Sequence, residues 1–495
     1  MPKTKTYSFI IFSILFLILF AASAGAQDFS IDWSEPELLF LVTDGLRSNY
    51  LSSLYDRAST VYVWWATFSA IADDTSTDLP KSRTFHSQNI ANEWRSPVDV
   101  MIWPDAGRMT SVVIDDDGIL HAFSATNCLN YTTAPQDQAM SARGWNNNGC
   151  LDGTGLSFPS AVMTTDGTIY VVYSTLGNHS YRLIKSNDRG VTWSSYLTIL
   201  EEEEDFLLDP MLTIDQEDRL HLVWSIGQAP DAYPPSGVFY TRSDDGGISW
   251  KTPFQFGGLD EGEPAIAVFD DEVHVLWNGD AAKRGRYYRY SPDAGETWST
   301  VEVLTPPSDL GGKGGLQRPP AIVVDNLGNV HVLLHEQEEL YYAKKSEIGW
   351  SPKERLYNPE LMKGVEIFGI RLAITEGNLL HAMYILESYD RSITEDRRNH
   401  IWRVFHQYKE IDALNELPTP WPTSELEGLE ITPDNHKTEE LLATSTVLSP
   451  SENNFDNDLD DPEYYNPAWS FYVSGITVSL FILIMLVFLI IKKRS

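Results

Sequence analysis

The chain has 495 residues and a formal net charge of −34, with 15 Trp and 23 Tyr. This length suffices for one large domain with tails and an ample buried core. The acidity argues against nucleic acid as a partner, since phosphate backbones require clusters of Lys and Arg. The heavy aromatic content is expected of a fold whose repeated units each need a packing anchor.

The N-terminus has the pattern of a secretory signal peptide. Lysines supply a basic start, Phe9–Phe20 an apolar stretch, and Ala24-Gly25-Ala26 a small-residue cleavage site. We expect cleavage to remove residues 1–26. The alternative is an uncleaved anchor, which the short apolar run disfavours.

Only two cysteines occur, Cys128 and Cys150. In an oxidising compartment, a pair 22 positions apart is most simply one disulfide that closes a loop rich in Asn and Gly. A metal site is not expected, because there is no second Cys pair and no His at ligand spacing nearby.

An octapeptide pattern, Ser-x-Asp-x-Gly-x-x-Trp, occurs three times in the middle of the chain. Asp bonds backbone amides two residues on, and Gly accepts the positive φ of a tight turn, so the pattern predicts a hairpin with Trp packed behind it. Three copies indicate a repeat. The fixed positions are Ser186, Asp188, Gly190, Trp193, Ser243, Asp245, Gly247, Trp250, Ser291, Asp293, Gly295 and Trp298.

This octapeptide resembles the Asp box, or BNR repeat, of sialidase-like β-propellers. The resemblance implies an all-β propeller in which the box is a structural turn placed away from the catalytic face. The segment around Trp33-Ser34 resembles the stretch that follows each box. That likeness implies that the chain starts with the outer strand of its last blade and closes the ring by pairing its two ends.

A second repeated pattern predicts the number of blades. A small residue or Pro, an apolar stretch, an acidic turn and an apolar-His-apolar-x-aromatic strand recur at steps of 49 to 59 residues, which suit one four-stranded blade. The small residue or Pro marks the start of the innermost strand. Seven copies predict seven blades. Six blades are the alternative, because the resemblance to sialidases implies a six-bladed ring. We interpret the recurring His as a half-buried strand residue that hydrogen-bonds a neighbouring backbone, and not as part of a metal or catalytic set. The residues at this position are Tyr62, His121, Tyr170, His221, His274, His331 and His381.

The C-terminal part has a different composition from the repeats, which end near residue 410. Residues 411–467 are rich in Pro, Ser, Thr, Asn and acid, which predicts a disordered stalk. Residues 468–491 contain an uncharged apolar stretch long enough to span a membrane, and a basic cytoplasmic tail follows at 492–495. The sequence therefore predicts a single-pass cell-surface protein with its propeller, residues 27–410, outside.

The candidate site residues lie where we expect loops that lead into the innermost strands, at the mouth of the central channel. Guanidinium groups are natural clamps for a carboxylate. The sialidase resemblance implies an arginine triad for the sugar acid, an Asp general acid and a Tyr nucleophile paired with Glu. Carried over to this chain, the triad is Arg108, Arg318 and Arg371, the acid Asp209, the Tyr partner Glu263, and the nucleophile Tyr342, with Tyr341 or Tyr384 as alternatives.

Two functions are compatible with these residues, and a structural surface protein with an unoccupied channel is a weaker third. The first is a binding module that holds a glycan or a surface protein at the mouth. The second is a retaining exo-α-sialidase. The chain lacks the Phe/Tyr-Arg-Ile-Pro motif of sialidases, which Arg318-Pro319-Pro320 and Ile370-Arg371-Leu372 match only in part, and this favours binding. No cofactor is expected, and the acid run at 201–205 lacks the spacing of a calcium loop.

Overall fold

A computed structural model describes the repeat region of the chain with gaps. The predicted signal peptide, residues 420–467 of the predicted stalk and the predicted membrane-spanning segment lie outside the described residues. Within the described part, no helix has the length and apolar character needed to cross a membrane. The described ranges are 33–42, 46–69, 82–103, 108–125, 128–153, 155–175, 177–203, 205–227, 235–279, 285–306, 319–336, 339–356, 365–388 and 401–419.

Seven antiparallel sheets form the blades of a β-propeller, which confirms the predicted seven blades. The first strand of each blade contacts the first strand of the next, and the first strand of blade 7 contacts that of blade 1. These seven inner strands therefore surround a central channel.

The first blades include the region before residue 61, where the repeat pattern is weak in the sequence. The strand that opens the described chain is β1 (Glu37–Val42). Blade 1 contains β2 (Leu46–Tyr55), β3 (Val61–Ser69), β4 (Ser82–Ile90), β5 (Glu93–Trp94) and β6 (Val98–Trp103); blade 2 contains β7 (Arg108–Ile114), β8 (Ile119–Ala125), β9 (Leu129–Pro135), a short 3₁₀ helix (Ala142–Gly144) and β10 (Asn146–Asp152); blade 3 contains β11 (Gly155–Met163), β12 (Ile169–Thr175), β13 (Ser180–Ser186) and β14 (Leu197–Glu201).

The remaining blades repeat this up-and-down order. Blade 4 contains β15 (Phe206–Ile214), β16 (Leu220–Gly227), β17 (Gly237–Ser243) and β18 (Phe254–Gly257); blade 5 contains β19 (Glu261–Phe269), β20 (Glu272–Gly279), β21 (Arg286–Ser291) and β22 (Glu302–Thr305); blade 6 contains β23 (Ala321–Val324), β24 (Val330–Glu336), β25 (Glu339–Ser346), β26 (Gly349–Trp350) and β27 (Glu354–Arg355); blade 7 contains β28 (Val365–Thr375), β29 (Leu379–Ser388) and β30 (Ile401–Glu410).

Blade 7 is completed by the start of the chain. β1 is its outermost strand and pairs antiparallel with β30, so the two ends of the repeat region lie in one sheet. Ser34 exchanges two hydrogen bonds with Tyr408, and Ser299 of blade 5 makes the same pair with Tyr290. The predicted closure of the ring through the N-terminal segment is therefore confirmed.

The antiparallel order gives the propeller two different faces. Turns between first and second strands and between third and fourth strands lie on one face, which we call the box face because it carries the Asp boxes. The opposite face, where the chain passes from the second strand to the third and from blade to blade, is the mouth face. The recurring His lies on the second strand, which is buried on both sides; all seven residues of β12 are buried.

The three Asp boxes form the predicted turns. In the box of blade 4, Ser243 donates to the Asp245 carboxylate at 2.8 Å and accepts the Gly247 amide at 2.9 Å. The same carboxylate accepts the backbone amide and the hydroxyl of Ser249. The boxes that begin at Ser186 and Ser291 repeat these bonds. Their role is structural, as the resemblance implies.

A tryptophan of each blade packs against the preceding blade. Trp193 lies 5.1 Å from the Tyr131 ring, and Trp298 lies 4.8 Å from the Tyr240 ring, measured between ring centroids. Each Asp-box Trp thus anchors a neighbouring blade in addition to its own turn. In order from blade 1 to blade 7, the tryptophans are Trp94, Trp145, Trp193, Trp250, Trp298, Trp350 and Trp33.

The recurring His is held in a buried Asp–His–Tyr unit near the box face. In blade 4, His221 bonds Asp215 through Nε2 at 2.9 Å and the Tyr240 hydroxyl through Nδ1 at 2.8 Å. Although burial alone would raise the pKa of Asp215, hydrogen bonds from His221 and Arg219 hold it at about 2. The structural interpretation of the His is confirmed, with side-chain partners where backbone partners were predicted. The other complete units are Asp115–His121–Tyr131 and Asp325–His331–Tyr342.

Blade 7 replaces this unit with a chain of hydrogen bonds that ends in blade 1. The Trp94 indole donates to Nδ1 of His406 at 3.0 Å, and the other nitrogen of His406 bonds Nδ1 of His381 at 3.0 Å. Nε2 of His381 then bonds the Thr375 hydroxyl at 2.8 Å. Because an indole nitrogen only donates, both imidazoles must be neutral and donate in the same direction.

Cys128 and Cys150 form the predicted disulfide, with Cα atoms 5.8 Å apart. The bond links Cys128, directly before β9, to Cys150 near the end of β10, within blade 2. It closes the loop that contains the 3₁₀ helix, so it confines the longest described excursion between two strands of this blade.

The segment after β30 lies against the box face. Leu414 and the Asn326 side chain exchange two hydrogen bonds, and the Thr419 amide donates to the carbonyl of Arg57 in blade 1. This segment borders a cavity of about 330 Å³ at the box end of the channel. Residues 411–419, which the sequence assigns to the disordered stalk, are therefore held on the propeller by backbone and side-chain hydrogen bonds.

Candidate functional site

The candidate residues of the inner strands lie inside the strands rather than on loops before them. β7 begins at Arg108, and Asp209 and Glu263 sit at β-bulges of β15 and β19, where pairing with the second strand skips residues. A bulge allows a proline to enter the strand, so the Pro that the sequence suggests as the strand start lies within it. Bulges of this kind occur in the inner strands of blades 1, 2, 3, 4, 5 and 7.

Asp209 and Glu263 occupy the same register position in neighbouring blades. Each precedes a bulge proline, Pro210 or Pro264, and each lies toward the mouth face of its inner strand. The structure describes only the backbone of Asp209, as of Arg108. The sequence prediction that two acids arrive at comparable positions near the mouth is consistent with this backbone placement.

Glu263 is a buried carboxylate in a strained backbone conformation. Its φ is +54°, a region that favours glycine, and only 7% of its surface is exposed. Its backbone amide donates to the Ser225 hydroxyl of blade 4 at 2.8 Å, and its carboxylate accepts from the Asn278 amide at 3.1 Å. Neighbouring strands of two blades therefore fix both ends of this residue.

Arg371 lies deeper in the channel than the acids. It follows the bulge of β28 and lines a cavity of about 210 Å³ formed by inner strands of six blades. Its Nη1 donates to the carbonyl of Ile370 at 2.8 Å, and burial lowers its pKa to about 10. Its side chain touches the cavity, so part of its surface is accessible even though protein surrounds it. Glu263 does not line this cavity, so Arg371 and Glu263 do not share it.

Tyr342, the predicted nucleophile, is in the wrong place for that role. Its hydroxyl bonds Nδ1 of His331 at 2.7 Å near the box face, and Trp33 packs on its ring. Burial raises its pKa well above the usual range, which disfavours the phenolate. The assignment is wrong because the sequence gives no sign of which Tyr of the third strand joins the Asp–His–Tyr unit.

The two alternative tyrosines also lie away from the channel cavity. The Tyr341 hydroxyl donates to Glu339, which pairs with Arg355, on the outer strands of blade 6. The Tyr384 hydroxyl donates to Gln407 at 2.6 Å, in the interior of blade 7. The described residues therefore contain no Tyr–Glu pair beside Arg371.

Two further predictions concern Arg318 and the absence of a metal site. Arg318 lies outside the described residues, so its place in the triad stays a prediction. The described ranges contain no group of three or more His, Cys, Asp or Glu side chains that could hold a metal ion.

Sequence reasoning missed two hydroxyls that join neighbouring inner strands. The Ser111 hydroxyl accepts the backbone amide of Ala161 at 2.9 Å, and the Ser160 hydroxyl accepts that of Leu212 at 2.9 Å. Both serines follow the bulge of their strand, the position that Arg371 occupies in blade 7. The available clue was the residue directly after the repeated Pro or small residue of each copy.

Comparison with known proteins agrees with this fold. The BNR repeat-containing family matches residues 50–256. No curated protein matches the chain. The match covers nearly all of the first four blades and includes the Asp boxes of blades 3 and 4.

Many solved structures are similar to this chain, and three illustrate the range. A protein of unknown function from Dyadobacter fermentans DSM 18053 is 11% identical, with a TM-score of 0.47 over 76% of this chain and 99% of the other. The NanB sialidase from Streptococcus pneumoniae is 13% identical, with a TM-score of 0.43 over 77% and 71%. A polysaccharide lyase described as an ulvan lyase, bound to -[GlcA(1-4)Rha3S]-, is 10% identical, with a TM-score of 0.49 over 76% and 97%. The likeness at these identities concerns the fold alone.

Proposed function

Because the chain is a sialidase-like β-propeller with Asp-box repeats, we propose that it binds a glycan at the mouth of its central channel, on the outer side of a membrane to which its C-terminal segment anchors it. The observation that carries the proposal is Glu263, a buried and strained carboxylate near the mouth face. A side chain in this backbone conformation costs about 1 to 3 kcal/mol, and such strain concentrates at binding sites.

The chemistry of the described mouth suits a ligand rich in hydroxyl groups. A carboxylate accepts hydrogen bonds from hydroxyls, and these charge-assisted bonds are stronger than neutral ones. Asn278, which already bonds Glu263, supplies an amide beside it. The net charge of −34 opposes a strongly anionic ligand. We therefore favour a neutral or weakly charged glycan over a protein partner with an acidic surface.

The anchored arrangement rests on the sequence, which has an uncharged apolar stretch within residues 468–491 and a basic segment at residues 492–495.

An exo-α-sialidase remains the second candidate, supported by Arg371 in the channel and by the acids of blades 4 and 5. It lacks a nucleophile in the described part, because Tyr342 belongs to a buried structural unit. A retaining mechanism would have to take its Tyr from outside the described ranges.

The decisive experiment compares binding of the full chain to a glycan array with binding of a Glu263→Gln variant. The amide keeps the size and removes the charge, so a bound hydroxyl loses a charge-assisted bond; we expect binding to weaken at least about tenfold. Glu354→Gln, at a hydrogen-bonded carboxylate of blade 6, is the matched control and should bind like the natural chain. Equal binding by both variants would reject Glu263 as part of the site.

The same preparations separate the two candidate functions. Turnover of a fluorogenic sialoside by the full chain would establish the glycosidase and reject a pure binding module. Glycan binding without turnover would support the proposal. Absence of binding to any glycan by folded protein would reject it.

A further inference from the structure

The middle of the channel holds an arginine that has no acidic partner among the described residues. Arg371 lines the cavity of about 210 Å³, and one of its five N–H donors is used by the Ile370 carbonyl. No carboxylate of the described residues forms an ion pair with it. Most of the donors of this guanidinium therefore remain for a partner within the cavity.

The walls of this cavity cannot compensate the charge. They consist mainly of proline and aliphatic side chains, including Pro210, Met211 and Ile266. Burial in these surroundings lowers the pKa of Arg371 to about 10, so the guanidinium is still charged at neutral pH. A buried charge without a counter-charge is strongly unfavourable. The described walls supply no counter-charge, and an anion from the solution would provide it.

Two hydroxyls at the level of Arg371 also present donors. Ser160 lines the cavity, and Ser111 holds the same position in blade 2. Each oxygen accepts a backbone amide of the next blade, so its own hydrogen is left to donate, and neither hydroxyl has an acceptor in the part of the chain that the structure covers. The position after the bulge is thus occupied by serine or arginine in blades 1, 2, 3 and 7, and the residue of blade 1 is Ser52.

We propose that the central channel binds a small monovalent anion, held by the Arg371 guanidinium and the Ser160 hydroxyl. A single negative charge without donors of its own matches a site that offers donors, and both halides and formate have this chemistry. A water molecule takes about 30 Å³ in the liquid, so the cavity has room for one such ion with several waters. This site is separate from glycan binding at the mouth.

An anion here would connect blades that lie apart along the chain. Arg371 belongs to blade 7 and Ser160 to blade 3, while the hydroxyl of Ser160 already bonds blade 4. Binding of the ion to the folded ring alone stabilises the fold in proportion to the logarithm of its concentration. The thermal stability of the natural chain should therefore rise with chloride at constant ionic strength, with gluconate as the replaced anion.

The test is ³⁵Cl NMR line broadening of sodium chloride by the full chain. We expect Arg371→Met, whose side chain fits the apolar channel, to bind chloride at least about tenfold more weakly, because a charge-assisted bond is lost. The excess line broadening should fall accordingly. Ser160→Ala should weaken binding several-fold. Arg289→Met is the matched control, since Arg289 lies outside the cavity, donates to the Ser299 carbonyl and also has its pKa lowered by burial.

Several results would overturn the proposal. One is that the folded natural chain causes no broadening of the chloride signal. Another is that the broadening persists in folded Arg371→Met. If Arg371→Met does not fold, crystals of the natural chain grown in sodium bromide decide, since an anomalous peak at the guanidinium supports the site and an empty channel rejects it. Displacement of chloride by formate would extend the site to carboxylates, and failure to displace would restrict it to halides.

Discussion

Acidification should destabilise the propeller near the closure of the ring, between blade 7 and blade 1. His381 and His406 are buried, hydrogen-bonded to each other and neutral. Since Trp94 donates to His406, a further proton on either imidazole would place two N–H donors face to face. Among the described residues, Glu37 places a carboxylate 3.9 Å from His406, and because this side chain is half exposed it offsets little of this cost.

The magnitude follows from the pKa values. Burial lowers the pKa of His381 and of His274 to about 4, and that of His86 to about 3. The unfolded chain binds these protons at about 6.5, so the stability is present above that pH and is lost as the pH falls toward 4. Between pH 7.5 and 4.5 each His should cost about 2.5 kcal/mol, and the three together about 7.5 kcal/mol. That sum is comparable to the whole stability of many domains.

The assay is urea unfolding of the full chain at several pH values, followed by tryptophan fluorescence. The natural chain should lose stability steeply between pH 6.5 and 4.5. In His381→Gln, the same pH change should cost about 2.5 kcal/mol less, because one proton-linked group is gone.

A free energy of unfolding that is equal at pH 7.5 and 4.5 would refute this reasoning. An unchanged pH dependence in His381→Gln, with the loss still present in the natural chain, would show that other groups cause it. His179→Gln is the matched control, because the His179 side chain is only partly buried and is bonded to the carbonyl of Asp205 near the mouth face.

Three further predictions concern the turns, the disulfide and the corrected tyrosine. Gly190→Ala should destabilise the protein by at least about 2 kcal/mol, because its φ is +82° and the added methyl group would overlap the tyrosine hydroxyl of the preceding blade. Gly349→Ala, with φ +108° and open space around it, is the control and should show only the cost of the backbone conformation. Equal losses of stability in the two variants, measured by thermal unfolding, would contradict the predicted clash. Replacing Cys128 and Cys150 by Ser should lower the free energy of unfolding by about 3 kcal/mol, and unchanged urea unfolding would contradict this. Tyr342→Phe should cost about 1 kcal/mol of stability and leave glycan binding or sialoside turnover unchanged, and loss of either in folded protein would restore a functional role.

The fold was predictable because its determinants are local. An Asp box specifies a turn through bonds within eight residues, as the Ser243 and Asp245 contacts illustrate. The spacing of the His position reports the length of a blade, and Trp33 followed by Ser34 marks the segment that completes blade 7. Each of these patterns can be read without knowing which residues meet across the ring.

The site was less predictable because it depends on bulges and on partners from other blades. Nothing in the sequence around Glu263 predicts its positive φ, because that conformation arises from the β-bulge in the strand pairing. Tyr342 differs from Tyr341 only by facing His331, and a shift of one residue in a strand reverses the side on which a side chain lies. Arg371 was singled out correctly as a channel residue, but the serines at its level were not.

The repeated tryptophan contacts that join one blade to the next lie toward the box face, whereas Ser111, Ser160 and Ser225 join blades through the inner part of the ring. The Asp–His–Tyr units, the Asp boxes and their tryptophans all lie toward that face, and the mouth face is built from the connections between blades. Loops at the mouth can therefore change in length and composition while these contacts of the box face remain intact. This arrangement makes the chain a scaffold for exchanging recognition loops, and it predicts that natural relatives with different ligands differ mainly at one end of the ring.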